Sequence, residues 1–260
     1  MSHHPSRRRI AAANWKMYKT PADARLFLEH YIPRLHDGQP ELRIYANALA
    51  LPLCLATVRL AGMTERVVFG AQNAHYENEG AYTGEISLPM LMSEGVRSVL
   101  IGHSERRHIF GESDQLLAQK ARAVVNHGLE LMFCIGETRA QRESGQTQAV
   151  LVQQLQALAG LDAAAVSRQL VIAYEPVWAI GTGLTATTAQ AVEAHAQVRA
   201  EIDRLWPGLG AVVPVLYGGS VKHQNAAELS AQSDIDGVLV GGASLAVESW
   251  CDIVKGLQSR

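Results

Sequence analysis

The chain has 260 residues, 48% hydrophobic and 18% charged, with 22 glycines and a formal charge of −2 at pH 7. That composition fits a globular protein with a sizeable core and excludes a disordered chain, a collagen-like repeat and a coiled coil. The near-neutral charge gives no global attraction to nucleic acid or an anionic membrane, and no apolar run approaches the ~18 residues of a spanning helix.

Residues 1–9, with Arg7, Arg8 and Arg9, read as a flexible N-terminal arm, and residues 10–260 as one catalytic domain. The apolar run 10–13 is too short for the ~7–15 residues of a signal-peptide core, so it reads as a first strand. Further apolar, β-rich runs follow at 42–46, 67–71, 98–101, 129–135, 170–174, 211–216 and 237–240. Continuous apolar runs suit parallel strands buried on both faces. Helical stretches lie between them at 22–31, 116–126, 146–159 and 188–205, with Gly128 placed to end the second. Alternating β and α elements predict a parallel α/β sheet. Eight units in about 250 residues favour a closed (β/α)8 barrel, although periodicity alone also allows an open sheet.

Cys54, Cys134 and Cys251 are far apart and form no C-x-x-C pair, which argues against a disulfide framework and for a reducing, cytoplasmic setting. His103 and His108 are five apart, and no H-E-x-x-H occurs, so no metal is expected.

In such a barrel, reactive groups follow the strand C-termini. Strand one runs into Asn14-Trp15-Lys16, where Lys16 can hold a phosphate or a developing oxyanion. Taken alone it reads better as a solvated loop lysine. Strand four runs into Gly102-His103-Ser104-Glu105, with Ser104 a candidate cap for a short helix. His103 near that helix's positive end is expected neutral, able to donate to a carbonyl. Strand six ends at Glu175. It is followed by Pro176, Val177, Trp178, Ala179, Ile180, Gly181, Thr182 and Gly183. An apolar loop stiff at one end and glycine-rich at the other suits a lid that excludes water over a general base. Gly218-Gly219-Ser220 and Gly241-Gly242 follow strands seven and eight, where backbone N–H groups can converge on phosphate. No nucleotide-binding glycine motif and no cofactor signature is present. The set suits proton transfer beside a carbonyl on a small phosphorylated substrate.

These segments resemble the triosephosphate isomerase family, together with Phe69-Gly70-Ala71-Gln72-Asn73, Gly80-Ala81-Tyr82-Thr83-Gly84-Glu85 and Cys134-Ile135-Gly136-Glu137. They run in order along nearly the whole chain after residue ten. The known chemistry of that family pairs a glutamate base with a neutral histidine at a helix N-terminus. The resemblance implies a cofactor-independent TIM barrel isomerase of glycolysis and gluconeogenesis, interconverting glyceraldehyde 3-phosphate and dihydroxyacetone phosphate. It implies Glu175 as base, His103 as electrophile, Lys16 and Asn14 at the oxyanion, and Glu105 near Lys16. It also implies phosphate contacts at Gly181, Ser220, Gly241 and Gly242. A homodimer is implied too, with Tyr82 and Thr83 reaching the partner's site near Asn14 and Lys16. Tyr18, Asn47-Ala48 and Leu184 depart from the usual family pattern. The alternatives are a relative acting on a longer phosphosugar, such as a tetrulose phosphate, and a non-catalytic barrel.

Overall fold

The computed structural model describes residues 7–180 and 185–257. The strands close in chain order into a parallel barrel. They are β1 (Ile10–Asn14), β2 (Glu41–Ala46), β3 (Val67–Ala71), β4 (Ser98–Ile101), β5 (Glu130–Ile135), β6 (Leu170–Tyr174), β7 (Val215–Tyr217) and β8 (Gly237–Val240). Closure is made by β8 on β1, in register from Ile10 against Gly237 to Ala13 against Val240. The open sheet that periodicity allowed is excluded.

Helices wrap the strands: α1 (Pro21–Tyr31), α2 (Leu51–Leu60), α3 (Leu88–Glu94), α4 (Ser104–His108), α5 (Asp114–Asn126) and α6 (Arg139–Glu143). They continue as α7 (Thr147–Gln156), α8 (Ala163–Gln169), α9 (Thr188–Leu205), α10 (His223–Ser230) and α11 (Val247–Gly256). Their starts are set locally. Thr20 and Asp23 form a capping box on α1 with proline at its first turn, and Ser113 caps α5. Gly128 takes a positive φ of 75° just beyond α5, as its placement in the sequence predicts.

Strand seven differs from the sequence reading. Residues 211–216 were expected extended, but Leu209–Ala211 is a 3-10 turn, and β7 runs from Val215 to Tyr217. Gly208 at φ 87° starts that turn, and Pro214 offers no N–H to a ladder. Val213 is buried all the same, so apolarity there reports packing rather than extension.

The period-two alternation of strand side chains splits the core in two. Ile10, Ala12, Tyr45, Leu100, Met132, Cys134, Val171, Ala173, Leu216 and Leu239 fill the barrel interior. Ala11, Ala13, Ile44, Phe69, Val99, Phe133, Ile172 and Val240 belong to the larger core shared with the helices. At the floor, Arg43 reaches Glu130 through Nε at 2.8 Å and Nη2 at 3.1 Å. From the chain's start, Arg8 donates to Glu130 at 2.9 Å and Arg7 to Asp236 at 2.7 Å. Residues 1–6 of the expected arm lie outside the described residues.

Candidate active site

Alternation also builds the site. Ile10 and Ala12 point into the barrel, so Asn14, two residues on, opens inward at its rim. Val171 and Ala173 do the same for Glu175, and Leu239 does so for Gly241. A cavity of about 350 Å³ at this C-terminal end is lined by Asn14, Lys16, His103, Glu175, Ser220 and Gly241, among others. Gly242, Ile180 and Tyr18 also face it. Residues from five different strand ends thus converge on one cavity.

Lys16 follows β1 with a positive φ of 50°, a strained conformation for a non-glycine residue. Its neighbours hold it there. The Lys16 N–H donates to Asn14 Oδ1 at 2.9 Å, and Gln72 Nε2 donates to the Lys16 carbonyl at 2.8 Å. Trp15 beneath is fully buried edge-on against Phe27 and Phe69. The Lys16 ammonium meets Glu105 Oε1 at 2.6 Å.

The helix cap differs from the expected one. His103, not Ser104, is the N-cap of α4, and its Nδ1 accepts from the Glu105 N–H at 3.2 Å. Ser104 is drawn inside because its own N–H donates to Glu175 Oε2 at 3.1 Å. An Nδ1 that accepts carries no proton, so His103 is a neutral imidazole with its hydrogen on Nε2. That Nε2 lies 3.2 Å from Glu175 Oε1. His103 and Glu175 are both nearly buried, at 5% and 2% exposure.

The glycine loops approach Glu175 and Lys16 closely. A Cβ on Gly218 would stand 2.8 Å from Glu175 Cγ, and one on Gly241 would stand 3.2 Å from Lys16 Cε. Glycine there lets the backbone of the last two strand ends come against the Glu175 carboxylate and the Lys16 ammonium.

Residues 176–180, the described part of the expected lid, are fixed to the end of β5. Pro176 leads into a 3-10 turn, Val177–Ala179, closed by Ile180. Glu137 is fully buried and accepts from Tyr174 Oη at 3.0 and 3.1 Å, and from Trp178 Nε1 at 3.0 Å. The Arg142 guanidinium lies 3.3 Å from Glu137 and 5.5 Å from the Trp178 ring. Burial, then the charge of Glu137, holds the Tyr174 hydroxyl well above its usual pKa, so it remains a donor. Gly181, Thr182 and Gly183 of the expected lid, and Leu184, lie outside the described residues.

Tyr82 and Thr83 are exposed on the loop after β3, where the Tyr82 ring sits 4.2 Å from that of His75. The departures Tyr18 and Asn47 are linked. Asn47 Nδ2 donates to the carbonyls of Tyr18 and Lys19 at 2.9 and 2.8 Å, so the loop after β2 clamps the loop after β1. Roles for Gln72, Glu137 and Asn47 escaped the sequence reading. The available signal for the first two was the one that picked out Glu175, a polar residue within two positions of an apolar strand's end.

Among the described residues no helix is long and apolar enough to cross a membrane. The family model described as triosephosphate isomerase matches residues 9–257. A triosephosphate isomerase of Carboxydothermus hydrogenoformans is 46% identical over 257 residues, covering 96% of this chain and 99% of the relative. One from a Nostoc species is 43% identical over 252 residues, covering 96% and 100%. One from a Synechococcus species is 46% identical over 253 residues, covering 95% and 94%.

Proposed function

The chain belongs to the triosephosphate isomerase family, and we propose that it performs the reaction through Glu175, His103 and Lys16. It is an intramolecular aldose–ketose isomerase that interconverts glyceraldehyde 3-phosphate and dihydroxyacetone phosphate, a step of glycolysis and gluconeogenesis. The observation that carries the site assignment is the meeting of a buried carboxylate with a neutral imidazole at 3.2 Å, in a cavity that also holds a lysine.

In the aldose-to-ketose direction, Glu175 takes the proton from C2. The C–H electrons form the C1–C2 double bond, and the carbonyl pair moves onto O1. The Nε2–H of neutral His103 donates to that oxygen, and Lys16 stabilises its charge. A proton passes between O1 and O2 through His103. Glu175 then delivers its proton to C1 as C2 becomes the carbonyl. Glu175 now rests on the Ser104 N–H and beside His103 Nε2. The substrate carbonyl needs that Nε2 donor, so the carboxylate has to move toward the substrate carbon as the substrate binds. Glu105 offsets the Lys16 charge at 2.6 Å and supplies the N–H that fixes the His103 tautomer.

The phosphate is held by the backbone of Ser220, Gly241 and Gly242, with Gly181 from the lid. The close approach of Gly241 to Lys16 supports this grip. The lid Pro176–Gly183 closes over the enediolate and keeps water out. Assembly as a homodimer is supported by exposed apolar side chains on four successive loops of one rim: Met17, Leu49, Tyr82 and Phe110. A cytoplasmic location is supported by the three cysteines, all free thiols.

Turnover of glyceraldehyde 3-phosphate, with a tetrose phosphate in parallel, tests the assignment. Fast triose conversion supports it. Preference for the tetrose moves it to the longer-sugar relative, and no turnover from folded protein moves it to a non-catalytic barrel.

A further inference from the structure

The end of β5 poses a backbone problem. The β5–β6 ladder runs in register up to Ile135 against Tyr174. Beyond it, Gly136 is buried with both a donor and an acceptor to satisfy. One side chain meets both. Gln154 on α7 accepts from the Gly136 N–H through Oε1 at 2.7 Å and donates through Nε2 to the Gly136 carbonyl at 3.1 Å. Gln154 is itself 8% exposed. Its amide acts there as a further strand, gripping one residue from both sides.

What Gly136 touches gives the grip its consequence. A Cβ at Gly136 would overlap the Glu175 carbonyl at 1.7 Å and crowd its Cα at 3.3 Å. The main chain of the catalytic base therefore rests on Gly136. The Glu175 N–H donates to the Ile135 carbonyl at 2.7 Å, and the Val177 N–H to the Glu137 carbonyl at 3.1 Å. Glu137, next along the chain, holds Tyr174 and Trp178 on either side of the base. A shift of the 135–137 segment displaces Glu175 and the root of the lid together.

We propose that Gln154 is a positioning residue for the isomerisation, setting the height of the Glu175 backbone through its two hydrogen bonds to Gly136. The proposal rests on Glu175 being the base. It predicts an effect on the chemical step rather than on binding, because what Gly136 supports is the main chain of Glu175. Misplacement of a reacting group by about 1 Å costs on the order of 100-fold in rate.

The test uses Gln154→Leu and Gln154→Glu beside the parent enzyme, with rates expressed per folded site. Gln154→Leu removes both bonds at similar size. It is expected to lower kcat by about 10- to 100-fold while KM changes by less than about threefold. Gln154→Glu supplies a pH readout that a purely structural role would not move. The carboxylate accepts from the Gly136 N–H but faces the Gly136 carbonyl without a proton. The protonated acid restores both bonds. The ratio of variant to parent kcat is therefore expected to rise as pH falls. A leucine variant with parental kcat per folded site overturns the proposal, as does a glutamate variant whose profile runs parallel to the parent's. Should the leucine variant not fold, the glutamate profile decides. No turnover by the parent would instead mark failure of the underlying functional reading.

Discussion

His195 on α9 makes stability depend on pH in a direction that can be worked out in advance. It is fully buried. Its Nδ1 lies 3.1 Å from the Asp234 carbonyl, so that nitrogen carries the hydrogen. Nε2 has no hydrogen-bond partner among the described residues. A second proton would place a buried charge there, close to the Arg199 guanidinium, which binds the same Asp234 carbonyl at 2.8 Å. Burial chiefly, and secondarily Arg199, pushes the imidazole pKa down to about 4, although the Asp234 carbonyl and Asp236 oppose it. The free imidazole of the unfolded chain titrates near 6.5. A depressed pKa means that the unfolded state takes the proton first. Stability is therefore full above about pH 6.5, falls by about 1.4 kcal/mol per pH unit below it, and levels off near pH 4. The loss reaches about 2 kcal/mol at pH 5 and about 3 kcal/mol at the plateau.

His195→Asn isolates this contribution, because the amide keeps a donor for Asp234 and does not titrate. With a urea slope of about 3 kcal/mol per M, the parent midpoint should fall about 0.7 M more than the variant's between pH 7.5 and 5. Both proteins are compared at one concentration, since assembly shifts the midpoint. Parallel pH dependences in parent and variant would refute the argument. The ring packs edge-on against Tyr174 at 5.9 Å, one residue before Glu175, so the acid transition should also loosen the candidate site.

Two further outcomes follow from the geometry. Gly218→Ala sets a methyl 2.8 Å from Glu175 Cγ and should lower kcat by about 100-fold with the fold retained, read by steady-state kinetics and circular dichroism. Thr83→Arg, which puts charge and bulk on the exposed loop after β3, should yield monomers of low activity by light scattering and assay. Unchanged mass and rate would remove the loop's proposed role at the partner's site.

The barrel was legible because its strands are buried on both faces and so appear as continuous apolar runs. The site was legible where chemistry sits at the end of such a run. Lys16 and Glu175 stand out this way and Asn14 through the family resemblance, and the structure brings the three to one cavity with His103. Strand seven is hidden in the apolar run 211–216 because Val213 is buried without being extended. The α4 cap falls on His103 rather than Ser104 because Ser104 is held by Glu175, a contact 71 residues away that no local pattern carries. Gln154 and Glu137 are ordinary polar residues in sequence. Their significance lies in the backbone and ring groups they satisfy, which only the closed barrel brings within reach.

In the proposed reaction Glu175 carries the proton between the two carbons. Its most direct test is the isomerisation of dihydroxyacetone phosphate in deuterium oxide, by the parent and by Glu175→Gln, followed by nuclear magnetic resonance. The parent should turn over rapidly and place deuterium at C2 of the aldose, because a carboxylic acid proton exchanges with solvent. Glu175→Gln should be slower by about 10³-fold, within the range a general base contributes. A glutamine variant that isomerises and labels at the parent's rate would contradict the account.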